Sequence, residues 1–420
     1  MRNACRLVGM LLIVGLCRTL AFAAADQPLR GHQSRVCVGG PTRLDWVFAL
    51  ANQSPSQPPA EWLPGYDSTA QRYELYVPRT VNPTKPTGLI LFISASDDPA
   101  GLAQWRNVCD AAGILFASPY GAGNNRPGPE RTRIVFDVLD DLRRRFAVDP
   151  DRTYLGGFSG GARVACRIAF ALPEYFGGVV PVCAAENLRE ESWLRRRVTD
   201  RLSAALITGE ADFNRGEIER FRGPLLADVG VRTKVWVVPK LGHGLPTAAV
   251  LTETLRWLEE GLPLRRRLAA QWPAMRMPTE PATRAAWSQA LLEEAKLRLA
   301  SPATLYSGLM QLQGVAVRWQ DLPAATEAAE ILGKFEAEPQ RAWEADDLAE
   351  QRRFLLAEAR GLTAYATGSL APQYEKQRAD LAGAALERWQ ILLADDAESP
   401  AGREAQRQIP ELRKLLDAGK

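Results

Sequence analysis

Histidine is almost absent from this chain: among 420 residues only His32 and His243 carry an imidazole. A site that needs several histidines around one metal ion is therefore excluded, and a histidine general base has few candidates. Excess charge is also missing, because 52 basic and 49 acidic residues leave a formal net charge of +3. Proteins that bind nucleic acid usually carry a clustered basic surface, so this balance gives no reason to expect such a partner.

The N-terminus lacks an apolar run long enough to cross a bilayer, since residues 7–16 give only about ten residues of the roughly twenty required. Arg2 and Arg6 precede that run, and small-residue A-x-A sites follow it at 21–25. The pattern predicts a cleaved secretory signal peptide at residues 1–25, with an uncleaved anchor as the alternative. Cleavage removes three arginines, so we expect a formally neutral, secreted or periplasmic protein without stable membrane insertion.

Cysteine is also scarce. Cys5 and Cys17 fall within the signal peptide, and four others remain: Cys37, Cys109, Cys166 and Cys183. None has C-x-x-C spacing, so neither a zinc site nor a thioredoxin-like motif is indicated. In an oxidising compartment these four cysteines could form two disulfides, with three possible pairings. The alternative interpretation is that they are buried free thiols, and the sequence leaves both open.

Residues 69–265 alternate between short β-branched runs and amphipathic stretches. Strands are predicted around residues 89–93, 114–117, 153–156, 179–182, 204–207 and 235–238, and helices around 131–146, 160–172 and 246–260. This alternation predicts an α/β domain with a mostly parallel sheet and helices on both faces. Residues 73–77 alternate in polarity, which predicts an exposed antiparallel edge strand. Residues 26–68 are expected to be an N-terminal extension.

The chain changes character after residue 265. Residues 266–281 are rich in proline and are expected to be a linker, and residues 282–420 predict an all-helical domain. Proline-containing breaks divide the latter into about six helices. Residues 389–412 resemble one tetratricopeptide-type hairpin, although a period of 34 residues is not clean across the region.

Residues 157–161 read Gly-Phe-Ser-Gly-Gly and match the G-x-S-x-G pattern of a nucleophile elbow. Such a serine lies on a sharp strand-to-helix turn, and glycines two residues before and after it let neighbouring elements approach closely. A strand is predicted before Ser159 and a helix after it, as the motif requires. The N-terminus of that helix would place partial positive charge where an oxyanion forms.

A serine hydroxyl is a weak nucleophile and needs a base. In this architecture the chain order is serine, acid, histidine, and His243 is the one histidine after Ser159. Asp212 follows the strand at 204–207 and is the predicted acid. Glu210 is the alternative acid, although its position suits a turn or gate residue better. Asp228 lies within a helical stretch and is a poor candidate for the acid.

The oxyanion hole is predicted from the backbone N–H of Gly160 and from the loop after the strand at 89–93, where Ala95 or Ser96 would donate. Tyr120 and Asn124 follow another strand, on the face where open α/β sheets bind ligands, and are candidate substrate-binding residues. A plain turn-rich loop is the other reading of that segment.

The run at residues 149–161, the Pro-Glu-Tyr-Phe at 173–176 and the spacing of Gly209 and Asp212 resemble the α/β-hydrolase superfamily. The resemblance is to its poly(3-hydroxybutyrate) depolymerase, feruloyl esterase and dienelactone-hydrolase-like branch, and covers under half the chain. It implies a secreted carboxylic-ester hydrolase with Ser159, Asp212 and His243 as its triad. Ser94-Ala95 stands where most of that branch carries His-Gly, and the helical region is not part of the family core.

These features predict a serine hydrolase that needs neither a metal ion nor a cofactor. Its substrate would be a small-molecule or polysaccharide-linked ester, because no long insertion between residues 182 and 204 provides a lipase-type lid. A serine peptidase with the same triad is the alternative. In another reading the helical domain binds a protein partner and the hydrolase domain is inactive.

Overall fold

The computed structural model of the chain describes residues 29–82 and 84–418. The predicted signal peptide, with Cys5 and Cys17, lies outside the described residues. One eight-stranded sheet forms the centre of the molecule. Its strands are β1 (Gly31–Cys37), β2 (Arg72–Val77), β3 (Thr87–Ile93), β4 (Leu115–Pro119), β5 (Val148–Phe158), β6 (Gly178–Val182), β7 (Ser203–Gly209) and β8 (Arg232–Val238).

The sheet is mostly parallel and confirms the predicted α/β class. Its order is β1-β2-β4-β3-β5-β6-β7-β8. The pairs from β4 to β8 are parallel, whereas β1 pairs antiparallel with β2 and β2 pairs antiparallel with β4. Strands β3, β4, β6 and β7 are buried along their whole length, which explains why their sequences are continuous apolar runs rather than alternating ones.

The prediction that residues 73–77 form an edge strand is wrong. β2 is flanked by β1 on one side and β4 on the other, and the edge is β1, which comes from the expected N-terminal extension. The alternation in β2 instead separates a partly exposed face from a buried one, on which the Tyr73 hydroxyl donates a hydrogen bond of 2.7 Å to Asp141 Oδ2. Alternation shows that one face of a strand is solvated, but it does not show whether the strand has two neighbours.

Helices cover both faces of the sheet. They are α1 (Leu102–Ala112), α2 (Gly128–Arg145), α3 (Gly160–Ala171), α4 (Ser192–Arg201), α5 (Gly223–Asp228), α6 (Ala248–Glu260) and α7 (Leu262–Gln271). Helices α1 and α6 pack on one face through residues such as Trp105 and Leu255. Helices α2, α3 and α4 belong to the larger apolar core on the other face. A π-helix, Glu217–Arg222, leads into α5.

Part of the expected linker is helical. α7 spans Leu262–Gln271, and Pro263 stands in its first turn, where proline has no N–H to lose from the helix. Arg265 is buried and donates hydrogen bonds to the carbonyl oxygens of Asp151 and Leu258. Residues 266–271 of the predicted linker (266–281) are therefore helical, because Pro263 begins a helix that continues through them.

Six α-helices follow in the described residues 282–418, where the sequence predicts about six. They are α8 (Arg284–Leu299), α9 (Pro302–Arg318), α10 (Pro323–Glu336), α11 (Glu344–Thr367), α12 (Arg378–Asp395) and α13 (Pro400–Ala418). Each of α9, α10 and α13 begins at or directly after the proline that breaks the sequence pattern. Among residues 29–82 and 84–418, no helix is long and apolar enough to cross a membrane.

The core on the α2–α4 face continues into these C-terminal helices. Tyr175, which follows α3, packs edge-on against Trp287 of α8 at 6.3 Å between ring centroids, and Trp287 in turn packs against Trp319 at 5.2 Å. The helical region (residues 282–418) therefore shares apolar contacts with the elements that carry Ser159.

Candidate active site

The three residues of the predicted triad lie at one edge of the sheet. Ser159 directly follows β5, Asp212 lies three residues after β7, and His243 lies five residues after β8. Strands β5 to β8 are consecutive parallel neighbours in the sheet. Their carboxyl ends therefore meet at the same edge, where open α/β sheets place their ligand sites.

Ser159 has a strained backbone. Its φ of 53° and ψ of −120° lie in a region that side-chain-bearing residues rarely adopt. A Cβ at Gly157 would overlap the backbone of Gly161, and a Cβ at Gly161 would overlap the carbonyl of Ile93. The glycines are thus required by close approach of the backbone. Strain of this kind is retained where the surrounding structure enforces it, most often at functional sites.

A chain of hydrogen bonds connects the three side chains. His243 Nε2 lies 3.0 Å from Ser159 Oγ, and His243 Nδ1 lies 2.8 Å from Asp212 Oδ1. The Asp212 carboxylate can only accept from Nδ1–H, and this leaves Nε2 as the acceptor for the serine hydroxyl. The arrangement is that of a general base aimed at a nucleophile, with a third group orienting the base.

Asp212 is held from several directions. Its side chain is fully buried. Thr208 Oγ1 donates to Oδ2 at 2.8 Å, and the backbone N–H of Asn214 donates to Oδ1 at 3.0 Å. A buried carboxylate needs such donors because it has lost its hydration. Its position therefore depends on the loop at residues 210–216.

The loop that carries one predicted oxyanion donor packs against the start of α3, which carries the other. Gly160 is the first residue of α3, so its N–H has no acceptor within the helix. A Cβ at Gly161 would overlap Ile93 and approach Ser94, which places the loop after β3 against the start of α3. The N–H of Ser96 donates to Ser94 Oγ at 3.1 Å and is therefore occupied. Of the two alternatives in this loop, the occupied Ser96 N–H favours Ala95 as the predicted donor.

Asn124 lies at this site, whereas Tyr120 does not contact the triad among the described residues. A Cβ at Gly160 would collide with the side chain of Asn124, and the Asn124 N–H donates to the Ala95 carbonyl at 2.9 Å. The Tyr120 ring instead lies 5.1 Å from the Arg35 guanidinium, on the β1 side of the sheet. Tyr120 follows β4, which β3 separates from β5, and this accounts for its distance from the nucleophile.

The other candidates have different surroundings. Glu210 Oε2 accepts a hydrogen bond of 3.0 Å from the Lys240 N–H, so it supports the loop that carries His243. Asp228 is the last residue of α5 and is exposed. His32 Nε2 lies 2.9 Å from Glu74 Oε1, across the β1–β2 pair at the far end of the sheet.

Aromatic side chains that the sequence pattern does not predict surround His243. The Phe213 ring stacks on the imidazole at 4.1 Å and 22°, although its side chain is 41% exposed. Phe158 contacts the imidazole from another direction at 5.0 Å. Tyr374, from the helical region, lies 6.4 Å from Phe213. Phe213 could have been noticed as an aromatic residue directly after Asp212, but no signal in the sequence brings Tyr374 to this loop.

Cys183 lies directly behind the triad. Its backbone has a φ of 60°. Its Sγ, a carboxylate oxygen of Asp212 and a ring nitrogen of His243 all lie within 4.8 Å of one another. The thiol contacts the carbonyl oxygen of Gly244 at 3.4 Å, and burial raises its pKa to about 12. Asp212 and His243 are hydrogen-bonded to each other, and Cys183 stays protonated. Cys183, Asp212 and His243 are therefore better described as a hydrogen-bonded cluster than as a metal site.

The described cysteines are all free. Cys37 is exposed and Cys109, Cys166 and Cys183 are buried. The structure therefore agrees with the free-thiol reading of the sequence and contains none of the three disulfide pairings.

No protein-family profile matches the chain. It is 24% identical over 132 residues to the bifunctional acetylxylan esterase/xylanase XynS20E of Neocallimastix patriciarum, covering 30% of this chain and 19% of that protein. It is 36% identical over 84 residues to NocK of Nocardia uniformis subsp. tsuyamanensis, covering 17% of this chain and 24% of that protein. The chain thus spans about a fifth to a quarter of the length of the curated relatives it matches.

Among solved structures, the chain is similar to a thermostable esterase at 18% identity and a TM-score of 0.36, over 45% of this chain and 59% of that one. It is also similar to the esterase PE8 at 21% identity and a TM-score of 0.34, over 44% of this chain and 98% of that one. In both cases the match leaves more than half of this chain uncovered.

Proposed function

We propose that this chain, which has an α/β-hydrolase fold with a helical region appended to it, is a serine hydrolase that cleaves carboxylic esters. The observation that carries the proposal is the continuous hydrogen-bonded path from Ser159 Oγ through His243 to Asp212. The similarity to an acetylxylan esterase/xylanase supports an ester as the substrate.

In the first half of the reaction, Ser159 Oγ attacks the ester carbonyl carbon while His243 Nε2 takes the hydroxyl proton. The N–H groups of Gly160 and Ala95 donate hydrogen bonds to the oxyanion of the tetrahedral intermediate. Asp212 stabilises the imidazolium and holds its orientation. The intermediate collapses when His243 gives its proton to the leaving alkoxide, so an alcohol departs and an acyl group remains on Ser159.

In the second half, water enters and His243 accepts one of its protons as the water oxygen attacks the acyl carbonyl. The same two N–H groups hold the second oxyanion. Collapse breaks the bond to Ser159 Oγ, which regains a proton from His243, and the carboxylic acid leaves. No metal ion is needed, since every proton and charge in the cycle is carried by the three side chains and the backbone donors.

We propose that the substrate is a small-molecule ester or an ester linked to a polysaccharide. We also propose that residues 1–25 direct export, so that the enzyme acts in the periplasm or outside the cell. Soluble esters attached to cell-wall polysaccharides would be available there.

The proposal is tested with a panel of aryl acetate, aryl butyrate, feruloyl ester and peptide substrates, each assayed with the wild type and with Ser159→Ala. We expect ester turnover by the wild type and its loss in the variant. Turnover of peptides alone would make the chain a serine peptidase. No turnover of any substrate would favour a partner-binding protein with an inactive hydrolase domain.

A further inference from the structure

Asn214 links the triad acid to the helical region. Its backbone N–H donates to Asp212 Oδ1, the oxygen that also accepts from His243. Its side-chain amide donates to the Cys183 carbonyl at 2.7 Å, and its Oδ1 accepts a hydrogen bond of 2.8 Å from the Tyr374 hydroxyl. Asn214 is only 4% exposed, so these three partners determine its position.

Tyr374 comes from a short 3₁₀ segment, Pro372–Gln377, between α11 and α12. It is 160 residues from Asn214 along the chain, so the contact exists only because the helical region docks here. Burial raises the pKa of Tyr374, and the negative charge on Glu217 adds to that effect. The phenol therefore stays protonated and able to donate.

The same region contacts the segment that follows Asp212 at further points. Ser369 accepts hydrogen bonds from Arg220 at 3.1 Å through both its carbonyl and its hydroxyl. Tyr365 of α11 stacks with Phe221 of the π-helix at 6.3 Å, and a Cβ at Gly361 would collide with the same phenylalanine. Glu217 of the π-helix pairs with Arg163 of α3, four residues after the nucleophile.

Removing the phenol oxygen would leave the buried Oδ1 of Asn214 without a partner. A buried acceptor that has lost its partner is unfavourable, so the amide would rotate or admit water. Either change would weaken the hydrogen bond that the Asn214 N–H donates to Asp212 Oδ1. The Asp212–His243 hydrogen bond would then be aligned for a smaller fraction of the time.

We propose that Tyr374 is a positioning residue for the triad: it holds Asn214, and through Asn214 the helical region keeps Asp212 in line with His243. This inference rests on the proposed function. It makes the helical region a part of the active site, in addition to any partner that it binds.

The test compares Tyr374→Phe with Tyr306→Phe. Tyr306 provides a matched control, because its hydroxyl donates to Asp347 at 3.1 Å within the helical region and contacts none of the triad residues. Two rates are measured per titrated active site: turnover of an aryl acetate and covalent labelling by a fluorophosphonate. Both need His243 to deprotonate Ser159, and neither depends on how much of the sample is folded.

We expect Tyr374→Phe to lower kcat and the labelling rate about threefold to tenfold, the size of one lost hydrogen bond, with KM unchanged within about twofold. Tyr306→Phe should leave both rates unchanged. In an Asn214→Ala background, Tyr374→Phe should have no further effect, because its path to Asp212 is already broken.

Equal per-site rates for the wild type and Tyr374→Phe would overturn the inference. A rise in KM at constant kcat would also overturn it, because Tyr374 would then contact substrate rather than position the triad. If the wild type neither turned over esters nor became labelled, the proposed function itself would have failed. If the wild type were labelled and Tyr374→Phe matched it, only this inference would have failed.

Discussion

Arg318 and Glu174 form an ion pair at 3.0 Å in which both side chains are completely buried. They are 144 residues apart in the chain, with Glu174 next to α3 and Arg318 at the end of α9. Arg318 also contacts Asp45 at 3.2 Å. The sheet-containing part of the chain and the helical region are thus joined by buried charge as well as by apolar packing.

Arg318→Ala should lower the free energy of unfolding by about 3–5 kcal/mol, because it leaves the Glu174 carboxylate buried without one of its cations. Arg352→Ala serves as the control, because Arg352 pairs with Asp395 at an exposed site where water screens the charges, and its loss should leave the free energy of unfolding almost unchanged. Urea unfolding of both variants gives the comparison. Similar losses for the two variants would show that the buried pair does not stabilise the folded protein in this way.

Much of the fold can be predicted from the sequence, because the signals are local. The six strands at residues 89–93, 114–117, 153–156, 179–182, 204–207 and 235–238 are short apolar runs, and all six are present. The elbow motif is also a local signal, because its glycines lie within two residues of Ser159 in the sequence. Asp212 and His243 could be located because parallel strands bring their carboxyl ends to one edge of the sheet.

The remaining features depend on contacts between distant segments. β1 is rich in polar residues and pairs only with β2, at the edge of the sheet. It therefore has no buried apolar run by which the sequence could identify it. The sequence predicts a linker over residues 266–281, although residues 266–271 belong to α7, because proline both ends and begins helices. The contacts of Tyr374 and Arg318 arise from docking of the helical region. A tyrosine or an arginine in the sequence does not indicate which distant residue it contacts.

Asp212→Asn should lower kcat for ester hydrolysis by about a thousandfold or more while the protein stays folded. An amide NH₂ facing His243 Nδ1 favours the wrong imidazole tautomer, and Nε2 then no longer accepts the serine proton. Asp228→Asn is the matched control, because its carboxylate is exposed and lies at the end of α5. Steady-state kinetics would contradict the assignment if the two variants retained comparable activity.

Gly160→Ala should lower kcat by about tenfold to a hundredfold. The added Cβ would collide with the Asn124 side chain and displace the N–H that is assigned to the oxyanion hole. Adding Asn124→Gly should restore part of the loss by removing that collision. Gly333→Ala adds a methyl group where no atom lies within 4 Å, and it should leave kcat unchanged. A Gly160→Ala enzyme with full activity would exclude this backbone donor.

Thiol alkylation at pH 8 should modify Cys37 alone among the four described cysteines. Cys37 is exposed, whereas burial raises the pKa of Cys166 and Cys183 to about 12 and also raises that of Cys109. At pH 8 these buried thiols are protonated, and the thiolate is the reactive form. Peptide mapping after iodoacetamide treatment, before and after unfolding in denaturant, gives the pattern. Rapid modification of Cys183 in the native protein would contradict the buried environment described for it.

We propose that His243 activates Ser159 so that an acyl-enzyme forms, and this is the step on which the ester-hydrolase function depends. It is tested most directly by quenching the protein with acid during turnover of an aryl butyrate and mapping the acylated peptide by mass spectrometry. We expect one butyryl group, attached to Ser159 in the wild type and absent in both Ser159→Ala and His243→Gln. A butyryl group on another residue, or undiminished turnover by Ser159→Ala, would contradict it.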